Sequence, residues 1–101
     1  MSYTIKLIPL ARKDLKEAKK WHDNISKKLG DEFKDAVNAE IDYIGEYPEH
    51  FQKRYKELRL SLVKRFSFAI LYLIDDKRKM VIIFGVLHTR RNPEIARKRI
   101  K

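Results

Sequence analysis

Arg59, Lys64, Arg65, His88, Arg90 and Arg91 are the residues whose types and spacing could do chemistry. Arg59, Lys64 and Arg65 enter or leave one apolar run, and His88, Arg90 and Arg91 follow another run at once, while Lys53, Arg54 and Lys56 add charge just upstream. If the ends of those runs meet in space, the six make a patch of positive potential suited to phosphates or to an acidic protein segment. If they do not, they are a solubilising basic surface. Both readings stand on the sequence alone. His88 carries the same ambiguity, because an imidazole can bond nearby backbone or move a proton.

Other chemistries find no residues to carry them. With no cysteine there is no disulfide framework, no thiolate zinc site and no cysteine nucleophile. There is no glycine-rich phosphate loop and no pair of histidines at helical spacing, so no cofactor and no metal are expected. Asp31, Glu32, Asp35, Glu40, Asp42 and Glu46 could in principle hold a divalent cation, but most lie off the apolar stripe that runs through them. A solvated helix face accounts for them more simply.

A chain of 101 residues fits one domain, expected here over residues 1–101, with a single small core and little room for an enclosed cofactor. Eleven aromatic residues argue against a disordered polycation, although the net charge is +10. That charge is uneven: residues 1–30 carry +5, residues 31–50 carry −6 and residues 51–101 carry +11. The longest apolar runs, Phe68 to Ile74 and Val81 to Leu87, fall short of the roughly 20 residues that cross a bilayer as a helix. The first residues also lack a signal-peptide pattern, so the expectation is a soluble, cytoplasmic protein with no membrane partner.

Positioning those side chains requires the following elements. Tyr3, Ile5 and Leu7 alternate with polar residues, which predicts a half-buried strand ended by Pro9. Ala11, Leu15, Ala18, Trp21 and Ile25 recur at helical spacing, which predicts a helix from about Leu10 to Ile25 with Trp21 in the core. Asp23, Asn24 and Ser26 read as turn and cap. A second helix follows through Leu29, Phe33, Val37, Ile41 and Ile44, weakened at its start by Gly30 and stopped near Glu46 by Pro48. The two form a helical hairpin.

Pro48 to Lys56 reads as a connecting loop, and Leu58, Leu60 and Leu62 as a half-buried strand. Phe66 to Ile74 and Met80 to Leu87 read as central strands joined by the polar turn Asp75 to Lys79, with Tyr72 as packing. Thr89 to Lys101 is a basic tail with room for a short helix after Pro93. The expected fold is therefore α+β, a helical hairpin packed on a mostly antiparallel four-stranded sheet in the order β-α-α-β-β-β.

The stretch from Glu57 to Ile74, a polar turn and then Val81 to Pro93 resembles the RelE/ParE toxins of bacterial type II toxin–antitoxin systems. The likeness rests on the entry Arg65-Phe66-Ser67-Phe68, where proline is frequent at the position of Ser67, and on the exit His88-Thr89-Arg90-Arg91-Asn92-Pro93. The resemblance implies a growth-inhibiting toxin neutralised by a cognate antitoxin, whose acidic tail a +10 protein would favour. RelE-like members cut messenger RNA on the ribosome, and ParE-like members poison DNA gyrase. The arginine of the nuclease branch falls on Ala69, and residues 89–101 hold no tyrosine, so the resemblance favours the ParE-like branch. The alternatives are a ribosome-dependent endonuclease, in which Arg65, His88 and Arg91 would polarise a phosphodiester, and a non-toxic basic binding module.

Overall fold

A computed structural model describes residues 2–89, and the expectations for Arg90, Arg91 and a helix after Pro93 lie outside them. The element order is strand β1 (Thr4–Leu7), helix α1 (Pro9–Ile25), helix α2 (Lys27–Glu46), strands β2 (Lys53–Tyr55) and β3 (Leu58–Val63), a 3₁₀ turn (Lys64–Phe66), and strands β4 (Phe68–Asp75) and β5 (Met80–His88). The sheet runs β1-β5-β4-β3-β2. It thus has five strands where four were expected, and it is mixed, because β1 lies parallel to β5 while the other pairs are antiparallel. The added strand is β2, only three residues long with an irregular register against β3, inside the stretch expected to be a loop.

Each helix begins for a local reason. Pro9 opens α1 as its first residue, where a missing N–H costs nothing. Ser26 alone separates the helices: its backbone N–H bonds His22 O to close α1, and its Oγ accepts from Leu29 N at 3.0 Å to open α2. Asp23 and Asn24, expected in the turn, therefore belong to the last turn of α1. Gly30 sits where the helices cross, and a Cβ there would lie 1.6 Å from Asp23 Oδ1.

The core lies between the hairpin and one face of the sheet. Phe33, Val37 and Ile44 of α2 meet Ile70, Tyr72, Val81, Ile83 and Val86 of the central strands, all of them buried. Burial of each such side chain stabilises the fold by roughly 1.5–3 kcal/mol. Tyr72 is core, as expected, and its hydroxyl donates to Pro48 O at 2.6 Å, which ties the segment after α2 to the sheet. Burial pushes the Tyr72 phenol up to about 12.

Helix α1 departs from expectation in its phase. Ala11, Ala18 and His22 are buried, whereas Trp21 is 53% exposed and Ile25 60%, so Trp21 is not in the core. The small side chains of Ala11 and Ala18 allow close approach to the sheet. Trp21 lies about a third of a turn away from His22 and is carried to the rim.

Candidate functional site

The register across the sheet decides where the basic residues go. Val63 pairs with Phe68, and Phe68 pairs with His88, so the exit of β3, the entry of β4 and the end of β5 share one end of the sheet. The turn between β3 and β4 is held by a bond from Ser67 N to Lys64 O, and Thr89 N donates to Ser67 O at 2.8 Å. Ser67 stands in the left-handed region at φ 55°, which proline cannot adopt. The departure from proline at this position in the motif is therefore built into the turn.

Lys64, Arg65 and His88 are brought together by this geometry, and Arg59 is not. Arg59 lies back along β3 opposite Tyr72, and its Nη1 donates to Phe51 O at 2.6 Å, so it braces the segment between α2 and β2. Lys64 is exposed on the same turn as Arg65. Arg65 Nη2 pairs with Glu32 Oε1 at 2.8 Å, and its guanidinium lies 4.9 Å from the centre of the Phe66 ring. Its charge is thus partly offset by helix α2 before any partner arrives. The acidic face of that helix is correspondingly less idle than expected: Glu32 holds Arg65, and the Glu40 carboxylate accepts from the buried Ser61 hydroxyl. Among the described residues no group of three or more acidic or histidine side chains could hold a metal ion.

Arg65 and His88 open onto a cleft of about 720 Å³ between α1 and the end of the sheet. Its floor is apolar, with Ala18, Phe66, Phe68 and Val86, and Asp14 and Glu17 bring carboxylates to it. Asp14 Oδ2 accepts from Val86 N at 3.2 Å, on the half of β5 that extends beyond its pairing with β1. His88 packs edge-on against Phe68.

A second histidine lines the same cleft and is not among the residues that the sequence singles out. His22 is 5% exposed, lies flat on Phe33 with 4.3 Å between ring centres, and bonds Ala18 O through Nδ1 at 2.7 Å. A lone polar residue gives little periodic signal. The one clue is position, since His22 follows the buried Ala18 by one helical turn and so falls on the buried stripe.

Ala69 is buried and pairs with Leu62 and Leu87, so an apolar contact fills the position that the resemblance assigns to an arginine in the nuclease branch. No helix among the described residues is long and apolar enough to cross a membrane.

The family model for the ParE toxin of the type II toxin–antitoxin system, parDE, matches residues 5–93. No curated protein matches. Among solved structures, a chain of the chromosomal ParDE system from P. aeruginosa superimposes with a TM-score of 0.76 at 12% identity, covering 88% of this chain and 98% of the other. The isolated E. coli RelE toxin superimposes with a TM-score of 0.68 at 18% identity, covering 99% and 100%. A chain of the RelBE2 toxin–antitoxin complex from Mycobacterium tuberculosis gives 0.58 at 20% identity, covering 87% and 99%. At these identities the structural likenesses establish the fold.

Proposed function

The chain belongs to the ParE toxin family of type II toxin–antitoxin systems, and on that premise we propose that it arrests bacterial growth, is held in check by a cognate antitoxin, and acts on DNA gyrase. The observation that carries this reading is the convergence of the two motif halves: Arg65 and His88 stand on one cleft at one end of the sheet. An exposed guanidinium beside apolar rings is suited to an acidic segment of a partner, whether antitoxin or target. Solved relatives of the same fold include toxin–antitoxin complexes, which supports an antitoxin as partner.

Gyrase is favoured over messenger RNA by the apolar, buried Ala69, which leaves no cation where the nuclease branch has one.

Induced expression in a bacterial host tests the proposal. Growth should stop, co-expression of the product of a neighbouring small gene should restore it, and supercoiling should fail or a DNA-damage response should begin before translation slows. Codon-positioned cleavage of messenger RNA with supercoiling intact would overturn gyrase in favour of the endonuclease. Normal growth with abundant soluble protein would leave a non-toxic binding module.

A further inference from the structure

His22 sits in a box of rings that a phenylalanine would fill equally well. It lies flat on Phe33 at 11° and stands edge-on to Phe66 at 5.2 Å and 86°. An imidazole in such a box has two nitrogens to satisfy, which a phenyl ring does not. Nδ1 lies 2.7 Å from the Ala18 carbonyl oxygen, which can only accept, so Nδ1 carries the proton. In the neutral ring Nε2 then holds a lone pair. The ring's one hydrogen bond among the described residues is made by Nδ1, and no fully buried side-chain nitrogen there is left unsatisfied. Nε2 therefore meets the cleft that His22 lines, and it does so as a fixed acceptor in a ring that is otherwise buried.

We propose that the cleft receives the indole or phenol of a tryptophan or tyrosine from a partner protein, with its N–H or O–H donating to His22 Nε2. The surroundings select for this chemistry. Ala18, Leu29, Val86 and Leu87 offer apolar walls, and the half-exposed Trp21 offers a ring edge or face at the rim. An aromatic body with one donor at its tip leaves nothing unpaired there. A nucleobase would strand several polar edge atoms against those walls. Tyrosine and tryptophan are also the side chains that most often anchor protein interfaces. The inference rests on the reading that the cleft receives a protein partner, but its test uses small probes and leaves growth aside.

Indole and benzothiophene share a two-ring shape and differ in the N–H, so they separate the hydrogen bond from apolar burial. Trp21 is the sole tryptophan and contributes a single indole cross-peak to a ¹H–¹⁵N spectrum, which reports on the rim of the cleft. Titrating the full chain with indole should shift that peak and the methyls of Leu29, Val86 and Leu87. Indole should bind about three- to tenfold more tightly than benzothiophene, the worth of one hydrogen bond. In His22→Phe the two probes should bind alike, at the benzothiophene level. Equal affinity of both probes for the unmodified protein would overturn the proposal, and that comparison needs no variant. A preference for indole that survives in His22→Phe, or adenosine binding more tightly than indole at the same resonances, would overturn it as well. Because growth arrest is not a readout, failure here is distinct from failure of the toxin reading.

Discussion

Phe68 and His88 are register partners across β4 and β5, and the imidazole of His88 stands edge-on to the Phe68 ring at 87°, with 5.3 Å between centres. One pair thus joins the aromatic entry of the motif to its basic exit. Both rings line the cleft onto which Arg65 opens, so the contact fixes the distance between the two motif halves.

Arg65→Ala should weaken toxicity without weakening the fold. The side chain is 61% exposed and its partner Glu32 lies on the surface, so the ion pair is worth about 0–1 kcal/mol to stability. A charge desolvated against a partner costs roughly 2–5 kcal/mol when removed. Thermal unfolding and growth inhibition, measured on the same variant and on Arg91→Ala, compare the two. Full toxicity at unchanged antitoxin affinity would return the cluster to a solvated basic surface.

Ser67 offers a sharper structural test. Its φ of 55° and its N–H bond to Lys64 O both exclude proline, so Ser67→Pro should cost about 3 kcal/mol or more. Ser67→Gly relieves the left-handed backbone and should change stability by less than about 1 kcal/mol. The denaturant midpoint of the proline variant should fall well below those of the glycine variant and the parent. A proline variant of parental stability would show that the turn is not held as described.

Tyr72→Phe should lose about 1 kcal/mol at neutral pH, because Pro48 O is left without its donor. It should also change the response to alkali. The folded phenol titrates at about 12, above its ordinary value of 10.0, so its contribution is complete below pH 10. From there upward the unfolded chain releases the proton first, and stability falls at up to about 1.4 kcal/mol per pH unit until about pH 12. The phenylalanine variant should lack this part of the slope. Parallel stability curves for the two proteins between about pH 9 and pH 12 would contradict the assignment.

At Gly30 packing should outweigh helix propensity. Alanine would gain about 1 kcal/mol in an open helix. Here its Cβ would meet Asp23 at 1.6 Å from Oδ1, 2.6 Å from Cγ and 3.1 Å from Cα, and Asp23 is held by Lys19 at 2.9 Å. Gly30→Ala should therefore destabilise by about 1–3 kcal/mol. Asp23→Ala in the same chain should recover only part of the loss, since the backbone contact persists. A thermal melt above that of the parent would show that the helices part without cost.

The helices and the strands other than β2 were legible because their apolar periods are regular and bounded by Pro9, Ser26 and Pro48. Strand β2 was not, since three residues at a sheet edge with an irregular register leave no period to read. Spacing places Trp21 on the apolar stripe of α1 but does not say which third of that stripe a neighbour covers; Ala11 and Ala18 decide that through their size, and Trp21 is left exposed. Convergence of Lys64, Arg65 and His88 depended on hydrogen-bond register, which follows from the turn at Ser67 and not from charge. Arg59 has the same charge and a different task, because what it meets is a carbonyl 2.6 Å away. His22 was hidden by its type: a histidine counts as polar in any pattern, and only packing against Phe33 reveals it as core.

The parallel pairing of β1 with β5 sets the order in which the molecule can be assembled. Thr4 sits opposite Met80 and bonds Lys79 O through its amide, so β1 must wait for β5, more than seventy residues further along the chain. Closing so long a loop is slow compared with forming the helical hairpin or the β4–β5 hairpin. On a chain still being synthesised the wall that α1 lends to the cleft and the wall that β5 lends are far apart. The cleft is created only once β5 has been made and has closed on α1, so a partner that needs both walls finds no surface to read on the shorter chain.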